Sequence, residues 1–391
     1  MELYFASRLD YFEEGIFSML NEKRLALMAA GRKVYNMSVG TPDFQPAPHI
    51  VKAVAEAASK PENYKYSLRD LPELLDAVSS HYADRYGVRD LKHEEIMSVY
   101  GSQEGISHIA MALCDPGDIV LVPDPGYPVF SAGPFLCGAD VQTYALYEED
   151  NFLINFNNIP EELAKKAKCM IVSYPLNPVC KVAPDSFYDE LITFARKYNI
   201  IILHDNAYSD IVYGGRRGGS FLQHEGAREV GVEFYSLSKS YNYTGARMSF
   251  AVGNARIIEQ FKKVRSQIDY GIFLPVQYGA IAALTGPQDA VIRQCAMYEK
   301  RNKVLSQAMT EAGWPVPESE GTMFAWAPIP KGFESSEAFV MELMDKTGLI
   351  VTPGSSFGPL GEGYVRFALV LPEEEIREAA AAVRDSGILN R

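Results

Sequence analysis

Closely spaced cysteine pairs are missing from this sequence. Its five cysteines, Cys114, Cys137, Cys169, Cys180 and Cys295, are odd in number and widely spread. That pattern suits neither a disulfide framework nor a zinc site, so reduced thiols in a cytoplasmic protein are expected. The six histidines show no metal-ligand spacing. Only His204 stands beside a site candidate, and a structural role is expected for it. No apolar run approaches the roughly 20 residues of a membrane-spanning helix. Met1 to Asp10 lacks the apolar core of a secretion signal. Basic residues are in deficit, with 37 Lys and Arg against 50 Asp and Glu, a net charge of −13. An acidic surface repels phosphate backbones, which excludes general nucleic-acid binding but not a local basic pocket for a small anion. Internal repeats and low-complexity tracts are also missing, and the Pro/Gly clusters read as loop punctuation.

What is present is an ordinary globular composition, 47% hydrophobic and 22% charged over 391 residues, long enough for two domains. Apolar β-type runs at Ile96–Tyr100, Asp118–Pro123, Lys168–Ser173, Ile200–His204 and Val232–Ser236 alternate with helical stretches such as Ile106–Cys114 and Pro184–Lys197. Continuous apolar strands separated by helices predict an α/β fold, a mostly parallel sheet sandwiched by helices. Val291–Gly313 reads as a long helix, after which short strands and Gly-Pro loops predict a smaller α+β domain. The expected division is residues 1–44 as an arm and part of the small domain, 45–289 as the large domain, and 290–391 as the C-terminal small domain.

Ligands on such sheets bind beyond the carboxyl ends of the strands, and the chemical candidates cluster there. Lys239 follows Val232–Ser236 and is set in Ser236-Leu237-Ser238-Lys239-Ser240, with Arg247 eight residues on. A lysine amine can form a Schiff base with a phosphorylated aldehyde cofactor, and hydroxyls with an arginine fork can hold its phosphate. A lone lysine is more often a solvated surface group, so partners must carry the case. Gly101-Ser102-Gln103-Glu104-Gly105 turns a strand into a helix N-terminus, which suits a phosphate or simply a Ser102 cap. Asp205 can keep a pyridine nitrogen protonated or serve as a loop acid, and Tyr208 can reach a ring oxygen. Asn177, before Pro178, is a turn residue or a cofactor ligand. Tyr127 can stack on a flat ring or pack in a core. Arg366 is a lone arginine in an apolar strand, where a substrate carboxylate or an internal acid would pair it.

Taken in order, these segments resemble the fold-type I pyridoxal-phosphate enzymes of the class I and II aminotransferase family. The likeness runs from Gly40-Thr41-Pro42-Asp43-Phe44 to Arg366, nearly the whole chain. The resemblance implies pyridoxal 5'-phosphate as cofactor, bound in the large domain, and a ping-pong exchange between an amino acid and a 2-oxo acid. It implies that Lys239 carries the cofactor and shuttles the proton, and that Asp205 pairs with the ring nitrogen. Asn177 and Tyr208 would hold the ring oxygen, and Tyr127 would stack. Ser102, Gln103, Ser236, Ser238 and Arg247 would cradle the phosphate, while Gly40, Asn177 and Arg366 would receive the substrate carboxylate. It also implies a homodimer with shared sites, where Tyr64 or Tyr66 reaches the partner's phosphate. Pro123-Asp-Pro-Gly-Tyr-Pro128 and Ser236-Leu-Ser-Lys-Ser-Tyr-Asn-Tyr-Thr-Gly245 look most similar to the LL-diaminopimelate aminotransferase branch. Broad-specificity alanine, aspartate and aromatic aminotransferases share much of this, and a carbon–sulfur β-lyase would use the same lysine. The sequence departs from the family pattern at Val179-Cys180, Ala246 and Asp70. Arg69 is a candidate for a second substrate carboxylate, or a surface group.

Overall fold

The computed structural model describes residues 1, 3–12 and 16–390, apart from the side chain of Phe17. The chain divides into two compact units, one of Met1–Gly40, Lys300–Glu318 and Phe324–Arg391, the other of Thr41–Glu299 and Ser319–Met323. The boundary falls inside the helix Asp289–Glu311 and not ahead of it. Helical periodicity marks where a helix begins; it carries no sign of where along the helix the packing neighbours change.

Strand β1 (Tyr35–Asn36) lies in the smaller unit. The larger unit contains β2 (Ile96–Val99), β3 (Ile119–Asp124), β4 (Asp140–Ala145), β5 (Ala167–Val172), β6 (Ile201–Asn206), β7 (Gly231–Ser236) and β8 (Ser249–Gly253). These form one sheet in the order β2-β8-β7-β6-β5-β3-β4. Every pairing is parallel except those of β8, which runs against both β2 and β7. The sheet is therefore mostly parallel, as the alternation of apolar runs and helices implies. Successive side chains of a strand point to opposite faces. All residues of β2, β7 and β8 are buried, so both faces of the sheet are covered there. Only β4, at the edge, is accessible along most of its length. The accessible edge strand β4 and the position of β8 escape a reading based on continuous apolar runs.

The two faces are covered by different helices. On β7, Glu233 faces Tyr82 of the helix Pro72–Tyr86, whose hydroxyl donates to it at 2.9 Å. Its neighbour Phe234 faces the other way and packs beneath Gly105 of the helix Ser102–Leu113.

In the smaller unit, β9 (Phe324–Pro328), β10 (Leu349–Ile350), β11 (Thr352–Pro353) and β12 (Tyr364–Ala368) complete the set. β11, β12 and β9 form an antiparallel sheet, and β10 pairs with β1 in parallel. Its core includes Trp314, Phe339 and Phe367 in ring contact.

Candidate active site

Strands β2, β3, β5, β6 and β7 run in one direction, so their carboxyl ends share one edge of the sheet, where antiparallel β8 begins. Gly101, Ser102 and Gln103 follow β2, Tyr127 follows β3, and Asn177 follows β5. Asp205 and Tyr208 stand at the end of β6, Ser236, Ser238 and Lys239 at the end of β7, and Arg247 just ahead of β8. Topology alone thus gathers these side chains along one edge of the larger unit.

At the phosphate candidate, the helix begins at Ser102, four residues earlier than the sequence reading placed it, and Gly101 occupies the cap with φ 88°. Ser102 is therefore the first helical residue and not the cap. A Cβ at Gly101 would come within 2.2 Å of Arg247 Nη2 and 2.8 Å of its Cζ. The guanidinium thus lies against the turn whose free N–H groups open the helix. Arg247 is itself left-handed at φ 54°, and its Nη1 donates to the Thr244 carbonyl at 3.0 Å. Such a conformation costs a non-glycine residue about 1–3 kcal/mol and persists where its surroundings demand it. The Ser102 hydroxyl oxygen is buried and accepts or donates no hydrogen bond among the described residues. A helix N-terminus, an arginine and an unmatched hydroxyl suit an anion.

Tyr127 donates to Gln103 Oε1 at 3.3 Å, joining two of the predicted residues, and meets Phe130 edge to face. Ser236 is already engaged: its Oγ accepts from the Ser238 N–H at 3.2 Å and from Ser249 Oγ at 2.9 Å. It caps the short helix Leu237–Ser240 that carries Lys239. Asn177 and Tyr208 are both buried.

Asp205 is buried, and its Oδ1 has no hydrogen-bond partner among the described residues. Burial drives its carboxyl up to about 7, Glu233 adds to the rise, and the charge of Lys239 opposes it. A buried carboxyl left short of a partner at the end of β6 fits a protonated ring nitrogen. His204 has the structural role expected of it. It is fully buried, with Nδ1 3.0 Å from Glu233 Oε2.

Arg366 and Gly40 belong to the smaller unit. Arg366 is buried on β12, where Nη2 donates to the Ser38 carbonyl at 2.8 Å and to Thr352 Oγ1 at 3.4 Å. Its guanidinium lies 4.2 Å from the Phe324 ring centre and 4.8 Å from that of Phe357. Two ring faces fix the plane of the fork. A Cβ at Gly40 would lie 2.3 Å from the Phe324 ring, so any side chain there would have to displace that ring. Tyr64 and Tyr66 are both exposed, with Tyr64 donating to the Ala58 carbonyl at 2.9 Å. Arg69 is exposed.

Asp70, a departure from the family pattern, has a structural task. Its carboxylate accepts from the Ser98 N–H at 2.9 Å and from the Ser98 hydroxyl, tying the start of one helix to β2. Glu233 and Asp210 are not among the sequence candidates. Glu233 had a signal, a lone acid within an apolar strand, and it gathers Tyr82, Ser220, Phe221 and His204 around one buried carboxylate. Asp210 lies in a polar loop and had none.

The family model for aminotransferases of class I and II matches residues 32–383. An LL-diaminopimelate aminotransferase of Dehalococcoides mccartyi is 41% identical over 377 residues, 96% of this chain and 97% of that protein. One from Halothermothrix orenii is 41% identical over 385 residues, 98% of each. Among solved structures, substrate-bound BacF from Bacillus subtilis superposes with a TM-score of 0.94 at 34% identity, covering 98% of both chains. A probable N-succinyldiaminopimelate aminotransferase from Thermus thermophilus has a TM-score of 0.91 at 32% identity, covering 95% of this chain and 100% of its own.

Proposed function

The chain belongs to the class I and II aminotransferases, and on that premise we propose pyridoxal 5'-phosphate as its cofactor and LL-diaminopimelate as its amino donor, with a 2-oxo acid such as 2-oxoglutarate as acceptor. The observation that carries the cofactor is the pairing of two unmatched buried atoms at one sheet edge. Ser102 Oγ lies at a helix N-terminus pressed by Arg247, and Asp205 Oδ1 lies beside the lysine strand. An anion and a protonated ring nitrogen would satisfy them together. The donor rests on the relatives, which bear that name at 41% identity over nearly the whole chain.

When bound, the cofactor supplies an aldehyde for the Lys239 amine and a ring that withdraws electrons from the substrate's α-carbon. Ser102, Gln103, Ser236, Ser238 and Arg247 hold its phosphate, and Tyr127 covers a ring face. Asn177 and Tyr208 orient the ring oxygen. Asp205 shares its proton with the ring nitrogen, a task matched to a carboxyl raised to about 7. Lys239 moves the proton at the substrate's α-carbon, first as base and then as acid. Arg366, with Gly40 and Asn177, receives the substrate carboxylate through its guanidinium. The enzyme works as a homodimer in the cytoplasm. Between the two tyrosines, Tyr66 is the better candidate to reach the partner's phosphate, since the Tyr64 hydroxyl already donates within its own chain.

An absorbance spectrum of the purified protein tests this, taken before and after adding LL-diaminopimelate, glutamate, alanine, aspartate and tyrosine. A yellow band bleached by LL-diaminopimelate, and absent from Lys239→Ala, is the expected result. Bleaching only by another amino acid would replace the donor. Pyruvate and ammonia released from cystathionine without an oxo acid would point to a β-lyase. A protein that stays colourless with added pyridoxal phosphate would remove the cofactor.

A further inference from the structure

Lys239 sits on a helix of only four residues, Leu237–Ser240. A single turn fixes several dihedrals for one hydrogen bond and cannot hold itself. Its side chain has four rotatable bonds, so where the amine points depends on how firmly the backbone is anchored. The anchors must come from elsewhere.

They converge on Asp210, whose side chain is only 7% exposed and lies beside the turn, on the face of the sheet covered by the helix Pro72–Tyr86. Ser240, the residue after Lys239, donates its hydroxyl to Asp210 Oδ2 at 2.6 Å. Tyr235, four residues before Lys239 on β7, donates to the same oxygen at 2.9 Å. Arg85 Nε donates to the other oxygen at 3.0 Å, and Arg85 Nη2 reaches the Ser209 carbonyl at 3.1 Å. One carboxylate thus grips the lysine segment on both sides and is itself clamped to a different helix. Gln294 adds a third hold, donating Nε2 to the Lys239 carbonyl at 2.6 Å, and Asn242 fixes Gln294 at 2.6 Å.

Burial alone would raise the Asp210 carboxyl. Arg85 foremost, then His81 and the hydrogen bonds from Ser240 and Tyr235, bring it below the usual range. It is therefore an anion that accepts from every neighbour at neutral pH. The facing groups on the helix Pro72–Tyr86 are His81, Tyr82, Arg85 and Tyr86; Tyr235 and Tyr241 face it from the lysine segment, and Cys295 from the helix Asp289–Glu311.

We propose that Asp210, clamped by Arg85, is a positioning residue for the proton-moving amine of Lys239, acting through Ser240 and Tyr235. The inference rests on the reading of Lys239 as the cofactor-bearing lysine. A misplacement of about 1 Å can cost about 100-fold in rate, so loosening this grip should appear in turnover more than in substrate binding.

The test uses the full-length enzyme loaded with pyridoxal phosphate. Borohydride reduction of the wild type should leave the cofactor on the peptide containing Lys239. Failure there would remove the functional reading, and this inference with it. Given that result, Asp210→Asn should lower kcat about 10- to 100-fold, with KM for the amino donor changed by less than about threefold. It should also shift the pH midpoint of the visible band, because the amine's surroundings have moved. Asp210→Glu, which keeps the carboxylate, should recover part of both. Ser240→Ala, a milder lesion, should move both in the same direction by less, and it stands in if Asp210→Asn does not fold. Only the joint change in kcat and midpoint supports the proposal. A folded variant with either one unmoved overturns it, as does a lowered melting temperature alone, which would make the cluster a brace of the fold.

Discussion

Asp205 shows what a cofactor site asks of a single residue. A carboxyl raised from 3.8 to about 7 binds its proton more tightly in the folded chain than in the unfolded one. The stability it permits is complete below the unfolded value and is lost as pH rises through the folded one. Across that span the loss is on the order of 4 kcal/mol in the cofactor-free protein. Asp205→Asn removes the titration and keeps the shape. Without cofactor, this variant should melt above the wild type at about pH 8, and the gap should narrow as the pH falls to about 5. Thermal melts of both proteins across that range check it; a gap independent of pH would mean Asp205 does not titrate there. The wild type should regain its stability once pyridoxal phosphate is bound, since the ring nitrogen supplies the partner. Such a residue is destabilising until the ligand arrives, a pattern common to functional sites. The sequence could suggest Asp205 from its place after an apolar run. It could not show the burial, or the pressure from Glu233, that sets its titration.

Among elements, the helix Ser102–Leu113 and the segment before β8 are the informative pair. Each carries a readable half of the phosphate site, a glycine-flanked helix start and an arginine, separated by more than a hundred residues. Only the β2-β8 pairing brings Arg247 against Gly101, and β8 is a strand that apolar-run counting overlooks. The strands after which Asn177, Asp205 and Lys239 stand were legible because they are buried on both faces and so read as unbroken apolar runs. Helix starts were less legible, because Ser102 carries the chemistry of a cap while Gly101 holds the position. This geometry has a direct consequence. Gly101→Ala would drive a Cβ into the Arg247 guanidinium at a φ of 88°, which L residues rarely adopt. Affinity for pyridoxal phosphate should drop by about 1.5–3 kcal/mol, the value of a hydrogen bond to a charged group. Fluorescence titration of the cofactor-free protein measures this. An unchanged dissociation constant would separate Arg247 from phosphate binding.

At the scale of the whole molecule, an exposed aromatic patch of the larger unit is not explained by a single chain. Tyr64, Tyr66, Leu68, Tyr270 and Phe273 are exposed in the larger unit, Leu68 by 70% and Tyr66 by 78%. Their rings pair, Tyr64 with Phe273 at 5.3 Å and Tyr66 with Tyr270 at 5.4 Å. Contiguous exposed aromatics of this kind mark protein–protein contacts, and a second copy of this chain is the occupant that the shared active site of the proposed homodimer requires. The patch also contains the tyrosine proposed to cross to the partner's phosphate, so assembly and cofactor binding should be coupled. Leu68→Asp places a charge in the patch and alters none of the residues proposed to hold the cofactor. It should sediment as a monomer and bind pyridoxal phosphate more weakly than the wild type. Tyr66→Phe should stay dimeric and lose about 1.5–3 kcal/mol of cofactor affinity, one charge-assisted hydrogen bond. Sedimentation velocity with cofactor titration on the same samples separates the two effects. A Leu68→Asp monomer of undiminished cofactor affinity would show that each site is complete within one chain. A Leu68→Asp dimer would move the interface off this patch.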